Sequence, residues 1–376
     1  MLEIKRVNSR QTRRDFVNIV DKIYKNSEYY VPTIKLDDHE MFNEKKNIHL
    51  KDAIWYPIVV YRDKKPVGRV IGIIQNLAEK KTGVRTARFY YFDCFEDFEA
   101  CEFMMNEIFR WAKQNGAVSI HGPLGFNDTD REGMVVEGFD TMGTYVSLYN
   151  YPYYVDFMEK LGFTKDVDWL QHRVSLPDRD AEIIGKIDRL SDLVQKRYKL
   201  HFGTSKNNKE FIKKYGMPVF EVLNKAYAPL YETVPIDNIT AERIISGFKL
   251  LITTELCCIV LDENEKPIAF AICFANISKA VAKSKGRLLP FGIFRLMRAI
   301  KHYDVIDLAL IAVIPEYQSK GINAMLMSYI SKAYYRHNVK YMETNLNLEE
   351  NIQVQSLWKD IDSKVYRRNR SWKRSL

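Results

Sequence analysis

Residues 313–326 read Val-Ile-Pro-Glu-Tyr-Gln-Ser-Lys-Gly-Ile-Asn-Ala-Met-Leu, and they join an apolar run to an amphipathic one through a short loop. Asp304 to Ile314 is almost uninterrupted apolar sequence, which predicts a strand covered on both faces. From Ile322 the apolar residues Met325, Leu326, Tyr329, Ile330 and Ala333 fall at helical spacing. Between strand and helix lie Gln318, Lys320 and Gly321. A glycine at the mouth of a helix lets backbone N–H groups turn toward an anion, and the helix dipole favours negative charge there. Such a loop can hold a pyrophosphate; it can equally be a plain strand-to-helix turn.

The bulk composition narrows the class around that loop. A chain of 376 residues suggests two domains. With 46% hydrophobic and 13% aromatic residues it can bury a sizeable core, which excludes a disordered chain. The five cysteines, Cys94, Cys101, Cys257, Cys258 and Cys273, form no Cys-x-x-Cys, and the histidines do not pair at ligand spacing, so no metal is expected. An odd cysteine count with two adjacent in a strand-like run argues for reduced thiols. The opening Met-Leu-Glu-Ile-Lys-Arg lacks the apolar core of a signal peptide. No run approaches the ~20 apolar residues needed to cross a bilayer. The expectation is a soluble, cytoplasmic protein.

The net charge of +9 raises the question of nucleic acid, so its distribution matters. Much of the excess lies in 279–302, with Lys283, Lys285, Arg287, Arg295, Arg298 and Lys301, and in 366–374. No helix-turn-helix, zinc finger or RNA-binding signature accompanies them, so no specific nucleic-acid partner is expected. The tail reads as a basic final strand with a solvated end. Lys285 to Tyr303 has several readings: a membrane-surface helix, a lid over an acyl chain, or a helix packed on its own domain with its basic face in water. Peripheral membrane contact therefore stays open, as does a basic adaptor working through both segments.

The chain also looks built twice. Glu3 to Val7 followed by Arg13 to Lys25 matches Lys199 to Thr204 followed by Asn208 to Tyr227. Each half continues with a hairpin whose charged turn ends in Lys-Pro, at Lys65-Pro66 and Lys266-Pro267. A strand and an amphipathic helix come next, Arg88 to Phe95 and Phe98 to Asn115 in the first half. In that helix Cys101, Met104, Met105, Ile108, Trp111 and Ala112 line one face. Pro66 and Pro267 stand at the same offset as Asn150 and Asn351. The expected division is 1–180 and 181–376, with Pro177-Asp178-Arg179-Asp180 at the boundary.

The order strand, Val-x-Pro, Gln-x-x-Gly, helix resembles the acyl-coenzyme A loop of the GNAT acyltransferase superfamily, which reads Q/R-x-x-G-x-G/A. Gln318 and Gly321 match; Asn323 stands where glycine or alanine is usual. The resemblance implies two GNAT-like α/β domains in tandem, each a mixed, mostly antiparallel twisted sheet flanked by helices. It implies acetyl-CoA or another acyl-CoA as co-substrate, with Val313 aligning the pantetheine arm. Gln318, Ser319, Lys320, Gly321, Ile322, Asn323 and Ala324 would hold the pyrophosphate, and Asn351 would orient the coenzyme arm. The corresponding loop of the first half, Asp93-Cys94-Phe95-Glu96-Asp97-Phe98-Glu99, has four carboxylates and no glycine, so that half is expected to be a degenerate companion.

Acyl transfer to an amine needs a base for the ammonium and a proton for the departing thiolate. The family's N-x-x-A-x-x-x-Y frame is similar to Asn150–Phe157 and Asn351–Trp358, but Phe157 and Trp358 occupy the tyrosine position. Tyr317, Tyr341 and Tyr366 are candidate substitutes. The loop 121–150, from His121-Gly-Pro through Glu137-Gly-Phe-Asp140, leads to Tyr149-Asn-Tyr-Pro-Tyr-Tyr154. It is similar to a block in uncharacterised GNAT-like bacterial proteins. Its Asp128, Asp130, Glu132 and Glu137 offer carboxylates that could hold an amine or act as base, or form a solvated acidic loop. The catalytic candidates are thus Glu132, Glu137 and Tyr366. The expected activity is an acyl-CoA-dependent N-acyltransferase acting on a small-molecule amine or amino-acid-like acceptor by direct attack in a ternary complex. The alternative is a catalytically inactive binding or interaction protein of the same fold.

Overall fold

The computed structural model describes every residue of 1–376 except Lys46, Asp128, Lys359 and Asp360. Its strands are β1 (Leu2–Arg6), β2 (Ala53–Arg62), β3 (Lys65–Gln75), β4 (Thr86–Cys94), β5 (Ser119–Gly122), β6 (Met134–Glu137) and β7 (Thr164–Ser175), then β8 (His201–Phe202), β9 (Cys257–Leu261), β10 (Pro267–Ala275), β11 (Val305–Val313), β12 (Tyr341–Thr344), β13 (Asn347–Leu348) and β14 (Asp362–Ser375). They fall into two compact units. The first comprises Met1–Leu170, Ser278–Leu296 and Tyr366–Leu376, the second Gln171–Ile277 and Met297–Val365.

Both units are built to one plan. In the first, β1, β2, β3 and β4 pair antiparallel in that order, β4 pairs parallel with β5, and β5 pairs antiparallel with β14. In the second, β8, β9, β10 and β11 pair antiparallel, β11 pairs parallel with β12, and β12 pairs antiparallel with β7. Each parallel pair is joined through a long helix, Phe98–Gln114 or Ile322–Arg336, as parallel pairing requires. In each unit the strand beside the parallel pair comes from a segment distant in sequence.

Local chemistry accounts for these elements. At the β2–β3 turn Asp63 and Lys64 both adopt positive φ, 49° and 66°, the geometry that matches strand twist in a two-residue hairpin. At the β9–β10 turn the Asp262 carboxylate accepts from the amides of Asn264 and Lys266, each at 2.9 Å. The Phe98–Gln114 helix buries Cys101, Met104, Met105, Ile108 and Ala112 against the first sheet. Trp111 lies so close to β3 that a Cβ on Gly72 would sit 2.6 Å from its ring. In the second unit Met325, Leu326, Ile330 and Ala333 fill the same role.

Two expectations need correction. The run Lys199 to Thr204 pairs as a strand only over His201–Phe202. The basic tail does form the final strand and its end is exposed at Lys373 and Ser375, but within β14 Arg367, Asn369, Ser371 and Trp372 are buried rather than solvated. Arg368 and Arg370 converge on the buried Asp168, Arg370 at 2.7 and 3.0 Å and Arg368 at 3.2 Å. Alternation along the strand turns Arg367, Asn369 and Ser371 to one side, and the half-buried Arg368 and Arg370, on the other, meet the Asp168 carboxylate there.

Candidate functional site

The strand-to-helix junction of the second unit follows from the register of its parallel pair. β11 and β12 pair from Val305↔Tyr341 to Leu308↔Thr344, and the Asn345 amide still reaches the Leu308 carbonyl at 3.0 Å. β12 then ends while β11 runs on to Val313. Ala309, Leu310 and Ile311 lie beyond the last pair and are half-buried rather than covered on both faces. The edge left open is lightly served: the Tyr227 hydroxyl donates to the Ile311 carbonyl at 3.2 Å, and Gln318 Nε2 donates to the Val313 carbonyl at 3.0 Å.

Gly321 opens the Ile322–Arg336 helix at φ 80°, a conformation that favours glycine, and no side chain caps the first turn. The first amides of a helix point back toward the loop that precedes it. Here the Ala324 amide already donates to the Gly321 carbonyl at 3.0 Å and the Gln318 amide to the Pro315 carbonyl at 3.2 Å, which leaves Ser319 to Asn323 to face an anion. A Cβ on Gly321 would sit 3.0 Å from Val194. Ser319 also takes positive φ, 59°, which turns the loop sharply. Ser319 and Lys320 are exposed, and the Lys320 ammonium lies 4.8 Å from the Tyr317 ring centre. Val313, Gln318, Gly321, Asn323 and Ala324 are half-buried along this loop, whereas Ile322 turns into the hydrophobic core. An uncapped, glycine-headed helix with an exposed cation suits a pyrophosphate.

Sequence reasoning missed a pair of carboxylates beside the end of the parallel pairing. Asp307 and Glu343 are partners in register across β11 and β12, and both are buried. Asn276 Nδ2 donates to Asp307 Oδ1 at 2.7 Å and to Glu343 Oε2 at 3.3 Å. Arg173 donates to Glu343 Oε1 at 2.7 Å. Burial, with the Glu343 carboxylate as second cause, pushes the Asp307 carboxyl well above the usual range. The available signal was a lone carboxylate inside an otherwise apolar strand.

The other expected residues are placed differently. Asn351 caps the helix Ile352–Ser356 by accepting from the Val354 amide at 3.2 Å. Glu132, Glu137 and Tyr366 belong to the first unit. Glu137 is exposed and pairs with Arg368 at 3.2 Å, Glu132 is half-buried, and Tyr366 is buried. Asp130 accepts from the Phe126 amide at 2.7 Å, so it closes its own loop; Asp128 lies outside the described residues. Asn150 clamps β6, accepting from the Val135 amide at 2.7 Å and donating to its carbonyl at 3.1 Å.

The equivalent junction of the first unit is closed by its own side chains. Cys94 ends β4 as Val313 ends β11. Its amide donates to the Tyr154 hydroxyl at 2.8 Å, and its carbonyl accepts from Tyr153 at 2.7 Å and Tyr154 at 2.9 Å. The Phe98–Gln114 helix is capped by Asp97, which accepts from the Ala100 amide at 3.1 Å and also binds Arg62. A carboxylate already sits where an anion would bind. Beside the plug is a small, partly open cavity of about 40 Å³, lined in part by Tyr30, Arg69, Asp93, Arg131, Tyr149 and Asn150. Within its wall Asp93 accepts from Arg69 and Tyr24, each at 2.8 Å.

Residues 218–360 match the model of the acetyltransferase (GNAT) family. That stretch resembles a GNAT domain. Over its whole length it aligns with a solved tandem GNAT protein of the clavulanic acid biosynthesis pathway at a TM-score of 0.56 and 11% identity, covering 98% of that chain. The architecture is therefore two GNAT-like domains in tandem. Among curated proteins the chain is similar to Protein YghO of Escherichia coli, 24% identical over 96% of this chain and 92% of that one. It is also similar to a bacterial ceramide synthase of Caulobacter vibrioides, 23% identical over 84% of this chain and 82% of that one. Among the described residues no helix is long and apolar enough to cross a membrane.

Proposed function

We propose that this GNAT protein is an acyl-CoA-dependent N-acyltransferase, with residues 181–376 as the coenzyme-binding domain and 1–180 as its degenerate companion. The observation that carries the proposal is the second unit's open β11 edge, leading directly into an uncapped, glycine-headed helix inside the matched GNAT domain. Val313 aligns the pantetheine arm, and the loop from Gln318 to Ala324 holds the pyrophosphate through its amides from Ser319 to Asn323, with Lys320 adding positive charge. Asn351 acts through the short helix that it caps. The acceptor is an amine; the ceramide named for the Caulobacter relative is itself an amide.

The acceptor nitrogen attacks the thioester carbonyl carbon and gives up a proton to solvent, the carbon–sulfur bond breaks, and the thiolate takes a proton. Neither Phe157 nor Trp358 can give one. The Asp307 carboxyl, pushed up by burial, is the proton donor in this proposal, with Glu343, salt-bridged to Arg173, as its partner. Release of free coenzyme A thiol tests the activity directly. All five cysteines are buried, so a thiol reagent added to native protein reads the released thiol above a low background. Acyl-CoA supplied with a panel of small and long-chain amines should give amine-dependent thiol release; none with any amine and either acetyl- or long-chain acyl-CoA would refute catalysis.

A second reading is favoured by the first unit, whose tyrosine-plugged strand end and cavity suit binding without chemistry. Under it, the chain binds small molecules and releases no thiol.

A further inference from the structure

We propose that residues 283–301 form a peripheral membrane-docking element that inserts Leu289, Phe291 and Phe294 into an anionic phospholipid surface. The segment breaks into a helix Ser278–Lys283, a connecting loop and a helix Gly292–Lys301. Its inner side is fixed. The Lys35 amide donates to the Gly286 carbonyl at 3.0 Å, Gly286 takes φ 69° with no room for a Cβ against the Thr33 carbonyl, and Gly292 and Leu296 are buried.

Its outer side is apolar where water would be expected. Leu289 is 79% exposed, Phe291 66% and Phe294 70%, all within six residues. A packed helix with only its basic face in water does not describe this. Lys283, Lys285, Arg295, Arg298 and Lys301 surround the apolar tip and are exposed. Among the described residues no carboxylate pairs with Lys283, Lys285, Arg298 or Lys301, and the sequence from Lys279 to Tyr303 contains no acidic residue. Phe294, Arg298 and Lys301 share one helical face at i, i+4 and i+7.

Large apolar side chains ringed by uncompensated cations match the two attractions of an interfacial helix, apolar insertion and anionic headgroups. Nucleic acid would satisfy the cations and leave Leu289 and both phenylalanines in water. The inference does not depend on the acyl-transfer reading, because its test contains no coenzyme A.

The test is cosedimentation of the full-length protein with phosphatidylcholine vesicles, with and without phosphatidylglycerol, at low and high salt. Binding should require phosphatidylglycerol and weaken with salt. Phe291→Ser and Phe294→Ser should each lower partitioning about tenfold or more. Arg298→Glu or Lys301→Glu should lower it at least about fivefold. These side chains are exposed, so the fold should survive, which circular dichroism checks. Absence of binding to anionic vesicles, or binding unchanged by the phenylalanine substitutions, would overturn the proposal. So would tighter binding of a duplex DNA than of vesicles, or Phe291-dependent self-association without vesicle binding.

Discussion

Asp307 and Glu343 stand side by side across β11 and β12, both buried and both within reach of the Asn276 amide. Two carboxylates in one dry site cannot both ionise cheaply, and the arginine that reaches this pair, Arg173, sits on Glu343. Asp307 is the one pushed up.

This arrangement has a signed consequence for stability. Asp307 in the folded chain keeps its proton above the ordinary carboxyl pKa of about 3.9, whereas in the unfolded chain it loses it there. The folded state then binds more protons, so its stability falls as pH rises from about 4 toward the raised value. Asp307→Asn removes that penalty. Urea denaturation should show the variant more stable than the parent at pH 7 and indistinguishable below about pH 3.9. If Asp307 also donates the proton, the variant's amine-dependent thiol release should fall by about 10²-fold or more.

Asp168 behaves in the opposite sense. Burial raises its pKa, but Arg370 and Lys165 outweigh burial and hold the carboxyl below its usual range. Its contribution is present above about pH 3.9 and lost as pH falls through the lowered value. Asp168→Asn leaves Arg368 and Arg370 without their buried counter-charge, and should destabilise the first unit by about 3 kcal/mol at pH 7. Thermal denaturation followed at pH 7 and pH 3 checks both the size and the sign.

Tyr154→Phe tests the plug in the first unit. It removes the hydroxyl that meets both the amide and the carbonyl of Cys94, and one buried amide loses its acceptor. A loss of about 2 kcal/mol is expected. No new coenzyme A site should appear, because Asp97 still caps the adjoining helix. A second equivalent of bound coenzyme A in this variant would contradict the assignment of that half as a companion.

Much of the architecture was legible because its signals are local. The Lys-Pro hairpins, the Ile322 helix and the cysteine- and methionine-lined face of Phe98–Gln114 follow from turn chemistry and periodicity. Two other features were not. β14 runs inside the first unit because Asp168 lies opposite its arginines, and a sequence shows the cations but not the distant carboxylate. Asp307 and Glu343 read as single charges in strands until register sets them together. For the same reason Glu132, Glu137 and Tyr366 drew notice through motif and composition, while the buried Asp307 carboxyl of the second unit did not.

The central claim is that the second unit's loop holds acyl-coenzyme A. Calorimetric titration of the purified full-length protein with acetyl-CoA and with a long-chain acyl-CoA tests it most directly, alongside Lys320→Glu and Gly321→Glu. Lys320 is exposed, so its reversal tests charge without straining the chain, whereas Gly321→Glu also forces a side chain into positive φ. The account predicts one site per chain for at least one donor, weakened tenfold or more by Lys320→Glu and abolished by Gly321→Glu. Binding of neither donor, or equal affinity in both variants, would contradict it and leave the loop a simple turn.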